Sequence, residues 1–208
     1  MSDAARTAMA RALRLARALE ATVVAAGRAA AWLAIALMLV IVVDVGFRKL
    51  MDTGSTRLQE LEWHLHGLLF LFGLGWAYLK DGHVRVTLLS DRFRPGTRAG
   101  IEALGGLFLL LPYVAALVAF GADYAGISLA YDESSPSPTG LANRWLIKYA
   151  MLAGFALLGL AGIARTLEAL VFLTAPAAIA RQTRFHPPAP DGGDGSSSGR
   201  PAEAESAP

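Results

Sequence analysis

The sequence contains no cysteine, which excludes disulfide bridges, thiolate metal sites and cysteine nucleophiles. Charge is also scarce, since 17% of the 208 residues are Asp, Glu, Lys or Arg, against roughly 25% in soluble domains. Hydrophobic residues make up 54% of the chain, and the formal net charge of +2 is too small to indicate a nucleic-acid partner. This balance is typical of a membrane protein.

Common enzyme signatures are missing too: there is no Gly-x-Ser-x-Gly, no His-Glu-x-x-His and no Gly-rich phosphate loop. Asp132 and Glu133 are followed by Ser and Pro rather than by further ligands, so we interpret 132–143 as an exposed outer loop, not a metal site. Haem between paired histidines is improbable because three of the four apolar stretches contain no histidine. We therefore expect no catalytic residue, no metal and no cofactor in this chain.

Four apolar stretches are long enough to cross a bilayer, which takes about 20 residues. They lie at Ala25 to Phe47, from Leu58 to about Leu79, at Ala103 to Ala122, and from Trp145 to at least Ala164. The sequence therefore predicts an all-α membrane protein with four transmembrane helices. Pro112 lies within the third stretch and predicts a kink.

The two ends of the chain differ from this transmembrane domain, which we place at 23–175. Residues 1–22 form a basic leader with arginines on one side of a helical wheel and apolar residues on the other: Arg6, Arg11, Arg14 and Arg17 against Met9, Leu13, Leu15 and Leu19. This pattern favours an amphipathic helix on an anionic membrane surface, and a plain cytoplasmic leader is the alternative. Residues 176–208 are predicted to be a disordered tail, because Pro, Gly and Ser dominate from Phe185 onward.

The distribution of Lys and Arg predicts the orientation. Twelve lie in the leader, the 80–100 loop and the tail, whereas five lie in the other two loops. By the positive-inside rule both termini are predicted to be cytoplasmic. An i,i+4 ion pair is also expected at the end of the first span, between Asp44 and Arg48.

The second stretch begins with ionisable residues. Glu60, Trp63, His64, Gly67 and Tyr78 share one helical stripe, and Glu62 and His66 lie roughly opposite, so that each Glu precedes a His by one turn. Such a set could be a proton relay, but its place on the first turns favours satisfaction by water or a neighbouring helix at the outer interface. Glu60 is the residue that we expect to face another helix.

Other residues within the spans predict packing and depth. Lys148 and Arg165 are expected to extend toward opposite interfaces. Small residues that permit close helix approach occur in three spans: Gly73, Gly75, Gly105, Gly106, Gly154, Gly159 and Gly162. No internal repeat is visible, so the chain has the features of part of a carrier.

Three segments together resemble the small permease subunit of tripartite ATP-independent periplasmic (TRAP) transporters. They are Gln59-Glu60-Leu61-Glu62-Trp63 with Leu71 through Tyr78, then His83-Val84-Arg85-Val86, then Ser137 through Lys148. One departure is Thr87, where members often carry Asp.

The resemblance implies a bacterial inner-membrane subunit that packs beside a larger permease subunit. The larger subunit is expected to hold the substrate and sodium sites, and a periplasmic binding protein is expected to deliver an organic acid. Contact with the larger subunit is assigned to Glu60, Trp63, His64, Gly67 and Tyr78. The family motif and interfacial anchors are His83, Arg85, Arg92, Arg94, Arg144, Trp145 and Lys148.

Two other classes remain open at this point. One is a small subunit of a membrane redox complex, and the other is a channel or exporter built from copies of this chain. Visible absorption by the purified chain would indicate the first, and solute flux through the chain alone in liposomes would indicate the second.

Overall fold

A computed structural model describes residues 2–51, 54–81 and 93–185. These parts are all-α, as predicted, and contain no strand. The helices are α1 (Asp3–Ala31), α2 (Leu33–Met51), α3 (Thr56–Leu79), α4 (Pro95–Gly105), α5 (Leu111–Ala130), α6 (Trp145–Thr174) and the short α7 (Ala177–Ala180), with a π-helical segment (Gly106–Leu110) between α4 and α5.

Three helical stretches in the described residues are long and apolar enough to cross a membrane, against the four expected. They are Asp3–Leu50, in which α1 and α2 are nearly continuous, Pro95–Ala130 and Trp145–Thr174. Helix α3 is long enough at 24 residues, but its first turns carry Glu60, Glu62, His64 and His66, which lower its hydropathy. The ionisable residues at the start of α3 therefore distinguish it from the three other stretches.

The predicted interfacial helix is not a separate element but the first part of α1. Ser2 caps it by accepting a hydrogen bond from the Ala5 backbone N–H at 3.4 Å. Leu13 and Ala16 are buried inside the bundle at 4% exposure, whereas Leu15, expected on the same apolar side, is 52% exposed. The apolar side thus faces other helices of the chain, because α6 offers it a complementary surface.

Helix α6 is the centre of the bundle, since it packs against α1, α3, α4 and α5, while α2 packs mainly on α3. Small side chains allow these approaches, and Ala161 and Val23 are fully buried where α1, α3 and α6 meet, together with Leu79 at 3% exposure. The core therefore consists of the contacts that α6 makes with its four neighbours.

A wide helical turn lies just before Pro112, where the sequence predicts a kink. The N–H of Leu111 donates to the carbonyl of Gly106, five residues back, at the end of the π-helical segment. Proline has no N–H to continue an α-helical ladder, so a wider turn before it is a natural adjustment.

The glycines divide into close contacts and open positions. A Cβ added to Gly154 would lie 2.7 Å from the Leu71 Cβ, and one added to Gly75 would lie 3.1 Å from the Leu157 carbonyl oxygen. By contrast, a Cβ at Gly73 or Gly105 would meet nothing within 4 Å. Within this chain, these last two glycines therefore face away from the neighbouring helices.

Helix α6 ends at Thr174, before Pro176, and the chain turns back onto the bundle. Thr183 is 5% exposed, and the Phe185 ring lies 5.6 Å from that of Phe172. We define residues 181–185 as the C-terminal segment. This segment falls in the stretch assigned to the disordered tail, and it is packed because α1 and α6 supply partners for it. The rest of the predicted tail, 186–208, lies outside the described residues.

Candidate functional site

The carboxylate of Glu60 joins α3 to the loop 131–144. One oxygen accepts the Ser135 hydroxyl, and the other accepts the Leu141 backbone N–H at 2.6 Å. Nearby, Arg57 Nε donates to the Thr139 carbonyl at 3.2 Å, and the Thr139 hydroxyl donates to that of Thr56 at 3.3 Å. The start of α3 thus binds the loop at several positions, through Thr56, Arg57 and Glu60.

The same loop is fastened to α5 and α6 from its other side. Lys148 Nζ donates to the Glu133 carboxylate and lies 3.8 Å from the centre of the Tyr124 ring. The hydrogen bond from Lys148 holds the pKa of the Glu133 carboxyl below its ordinary value. An acid of the loop and an aromatic ring of α5 thus surround the charge of Lys148.

At the opposite end of the bundle, Arg165 of α6 binds the end of α3. Its side chain is buried at 2% exposure, and its NH2 group donates to the carbonyls of Tyr78, at 3.4 Å, and Leu79. The same group donates to Asp81 Oδ1 at 3.1 Å. A guanidinium at the carboxyl end of a helix meets both unpaired carbonyls and the negative pole of the dipole. Arg165 therefore caps α3 at this end of the bundle.

Tyr78 belongs to this second cluster. Its hydroxyl donates to Glu102 Oε1 of α4 at 2.9 Å, and the Arg165 guanidinium lies 5.9 Å from its ring centre. Three helices, α3, α4 and α6, therefore meet through polar side chains at this end. At both ends of the bundle, ionisable side chains bind groups in other parts of the same chain.

A family model decides what this bundle is. The model for the DctQ component of tripartite ATP-independent periplasmic transporters matches residues 37–172, from within α2 to near the end of α6. The chain belongs to the DctQ family. A comparison with curated proteins found no match. This DctQ chain is accordingly the small membrane subunit of a TRAP transporter, an inner-membrane transport component and not a member of an enzyme family.

The match confirms the resemblance drawn from the motifs, and the structure places several of the motif residues. Arg94 is exposed and precedes α4, which begins with Pro95. Trp145 opens α6, where its Nε1 donates to Asn143 Oδ1 at 3.3 Å, and the backbone N–H of Arg144 donates to the Glu133 carbonyl at 2.9 Å. His83, Arg85 and Arg92, together with Thr87, lie outside the described residues.

The five residues assigned to the partner contact differ in whether they contact their own chain or are exposed. Glu60 and Tyr78 bind groups of their own chain, and Gly67 faces Ile147 of α6, whose Cδ1 would lie 3.5 Å from an added Cβ. Trp63, in contrast, is 65% exposed. Of the five residues, Trp63 is the one whose side chain mostly projects from the DctQ bundle, and His64 is half-buried.

The Glu–His pairs also differ from the expected arrangement. His64 Nδ1 lies 2.6 Å from the backbone carbonyl oxygen of Glu60, because the Glu60 carboxylate points into the loop. Glu62 lines a crevice of about 330 Å³ between α2 and α3 together with Asp44. Asp44 is buried and paired with Arg48, which confirms the predicted i,i+4 pair. Among the described residues no group of three or more acidic or histidine side chains could hold a metal.

Sequence reasoning did not find the partners of Arg165 or the packing of Arg184. The partners of Arg165 are backbone carbonyls more than eighty residues away, and no sequence pattern identifies such acceptors. Arg184 lies in the C-terminal segment, yet it binds Glu168 through its backbone N–H and its Nε, both at 2.8 Å, and Glu20 at 3.1 Å. The sequence feature that could have drawn attention to Arg184 is its position just before the Pro- and Gly-rich region begins.

Proposed function

We propose that this DctQ chain is a static scaffold that braces the large permease subunit of a sodium-coupled importer of organic acids. In this proposal the large subunit holds the substrate and sodium sites, and a periplasmic binding protein delivers the substrate. The observation that carries the scaffold role is the use of ionisable side chains. Glu60, Lys148, Arg165 and Arg184 all bind partners within the chain, and such bonds make a bundle rigid.

Helix α3 serves as the fourth span in this proposal. At 1.5 Å per residue, its 24 residues extend about 36 Å, against roughly 30 Å for the hydrocarbon core. Its carboxyl end is capped by Arg165, and its polar first turns lie beside the 131–144 loop, where they have partners. Buried polar groups with partners are tolerated within protein at membrane depth.

Both termini are assigned to the cytoplasm, as the distribution of positive charge predicts. Because the chain has no cysteine, single cysteines can report sidedness without a background. We expect an impermeant maleimide applied to intact spheroplasts to label Ala142→Cys in the outer loop and to leave Thr97→Cys unlabelled until the membrane is opened. Both positions are exposed. Equal labelling of the two before opening would contradict four spans.

Trp63 is the proposed contact with the large subunit. Exposed tryptophans that insert into a partner often contribute 2 kcal/mol or more, so Trp63→Ala is expected to weaken the affinity for the large subunit about thirtyfold and to lower its co-purification. Trp32→Ala is the matched control, because Trp32 is even more exposed, at 73%, but lies between α1 and α2. Equal recovery with both variants would remove Trp63 from the interface. Solute flux through the chain alone in liposomes would contradict the scaffold role itself.

The 131–144 loop is the proposed docking surface for the binding protein, since its shape is fixed by α3. Glu60→Ala removes the acceptor for Ser135 and Leu141 and is expected to make the loop several-fold more sensitive to protease. Uptake that depends on the binding protein should fall, while the large subunit still co-purifies. Glu62→Ala is the control, because Glu62 faces α2 and not the loop. A protected loop in Glu60→Ala would contradict the assignment.

A further inference from the structure

A partly enclosed cavity of about 320 Å³ lies at the end of the bundle where α1, α3 and α6 meet the C-terminal segment. Its volume is at the lower end of the range for small-ligand sites, roughly 300–1000 Å³. Leu13 and Leu79 form apolar parts of the wall, and three arginines, Arg17, Arg165 and Arg184, also line it. None of these residues contributes to the proposed contacts of the outer loop or of Trp63.

The three guanidinium groups are brought close together. Arg165 and Arg184 both donate to a single acceptor, the Leu79 carbonyl oxygen, with 3.3 Å for Arg184 NH1. Arg184 also occupies the carboxylates of Glu20 and Glu168, the two acids that line the cavity. Arg165 is paired with Asp81 at 3.1 Å, so within the described residues Arg17 is the arginine of the cavity that binds no carboxylate, and an anion in the cavity would balance its charge.

Two of the arginines retain donors that the described residues do not use. Arg165 Nε is buried and has no hydrogen-bond partner there, although buried polar groups nearly always have one. Within the described residues Arg17 donates one bond, from NH2 to the Gln182 carbonyl at 3.2 Å, out of the five that a guanidinium offers. Arg17 therefore presents unused donors to the cavity, whereas Arg165 Nε is closed off from water and lies out of reach of a ligand.

The position of the cavity indicates where the anion comes from. Its residues on α1 precede the apolar run of the first span, and those on α6 follow the apolar run of the last, so the cavity lies at headgroup level. The outer side of α1 carries further exposed arginines, Arg6, Arg11 and Arg14, which attract anionic lipids. We propose that the cavity binds a phosphate group, supplied by the headgroup of an anionic phospholipid.

The test titrates the detergent-solubilised full chain with short-chain phosphatidylglycerol, short-chain phosphatidylcholine or inorganic phosphate, and follows the thermal unfolding midpoint. We expect phosphatidylglycerol to raise the midpoint in a saturable way. Arg17→Gln should weaken the apparent affinity roughly fivefold, the effect of one charge-assisted hydrogen bond of about 1 kcal/mol. Arg98→Gln, which removes the same charge from an exposed position on α4 outside the cavity, should leave the affinity unchanged. Circular dichroism verifies that both variants keep the helical content.

Each outcome decides the question. Saturable protection by phosphatidylglycerol but not by phosphate identifies the lipid, and equal protection by inorganic phosphate identifies a free-phosphate site instead. Equal protection by phosphatidylcholine overturns the proposal, because a charge-selective cavity would discriminate between these headgroups. An unchanged affinity in Arg17→Gln, or an equal loss in Arg98→Gln, overturns it as well.

Discussion

Arg165→Met is expected to lower the free energy of unfolding by about 3 kcal/mol. The guanidinium is 2% exposed and donates to the carbonyls of Tyr78 and Leu79 and to Asp81. Its loss removes the charged donor of α6 from the carboxyl end of α3, where the Asp81 N–H to Tyr78 and Arg184 to Leu79 remain as the other donors. The expected loss of about 3 kcal/mol is at the lower end of the range for a broken buried ion pair, because the Asp81 side chain is 50% exposed and can be solvated.

The measurement is the unfolding free energy of the full chain, from reversible denaturant titration in mild detergent. Asp81→Ala should cost less than about 1 kcal/mol, because an exposed acid contributes little, and this contrast separates the cap from the ion pair. Arg98→Met, at an exposed arginine of α4, is the control for loss of charge. A stability of Arg165→Met equal to that of Arg98→Met would show that the cap contributes nothing.

Gly154→Ala is expected to lower stability by roughly 2–3 kcal/mol, although it adds a single methyl group. That methyl would lie 2.7 Å from the Leu71 Cβ and 3.0 Å from the Leu71 carbonyl oxygen. Neither atom is the free end of a flexible side chain, so α3 and α6 would have to separate. Close helix packing is a main source of stability between helices in lipid.

Gly73→Ala on α3 is the matched control, because its added methyl meets nothing within 4 Å. Alanine is favoured over glycine within helices, so this variant should be more stable by about 0.5–1 kcal/mol. The same denaturant titration measures both. Opposite signs for the two substitutions support the close approach of α3 and α6, and equal effects would contradict it.

Sequence reasoning reached the local features of this fold and missed those that depend on distant partners. It placed the start of α6 at Trp145 and the Asp44–Arg48 pair correctly, because apolar length and i,i+4 spacing are local properties. It could not find the carbonyls that receive Arg165, since acceptors on the backbone of another helix leave no trace in side-chain patterns.

The candidate site shows the same division. Glu60 was expected to face another helix, whereas its carboxylate binds Ser135 and Leu141 of the loop; the motif around it identified the family, but these loop groups became visible only in the fold. Gly73 and Gly154 are alike as residues in apolar helices, and only the neighbour of each tells them apart. Arg184 was assigned to the tail because composition changes near it, whereas its packing depends on Glu20 and Glu168, which lie far away in the chain.

The central place of α6 has a consequence for how the subunit is made. Helices α1, α3, α4 and α5 all share α6 as a packing partner, yet among the described residues α6 is the last long helix to leave the ribosome. The earlier helices would therefore enter the bilayer before their common neighbour exists, with small residues such as Ala103, which packs near Ala169 of α6, still facing lipid. Assembly would then finish late and in one cooperative step, and a nascent chain cut short before Trp145 would be left open to quality-control proteolysis.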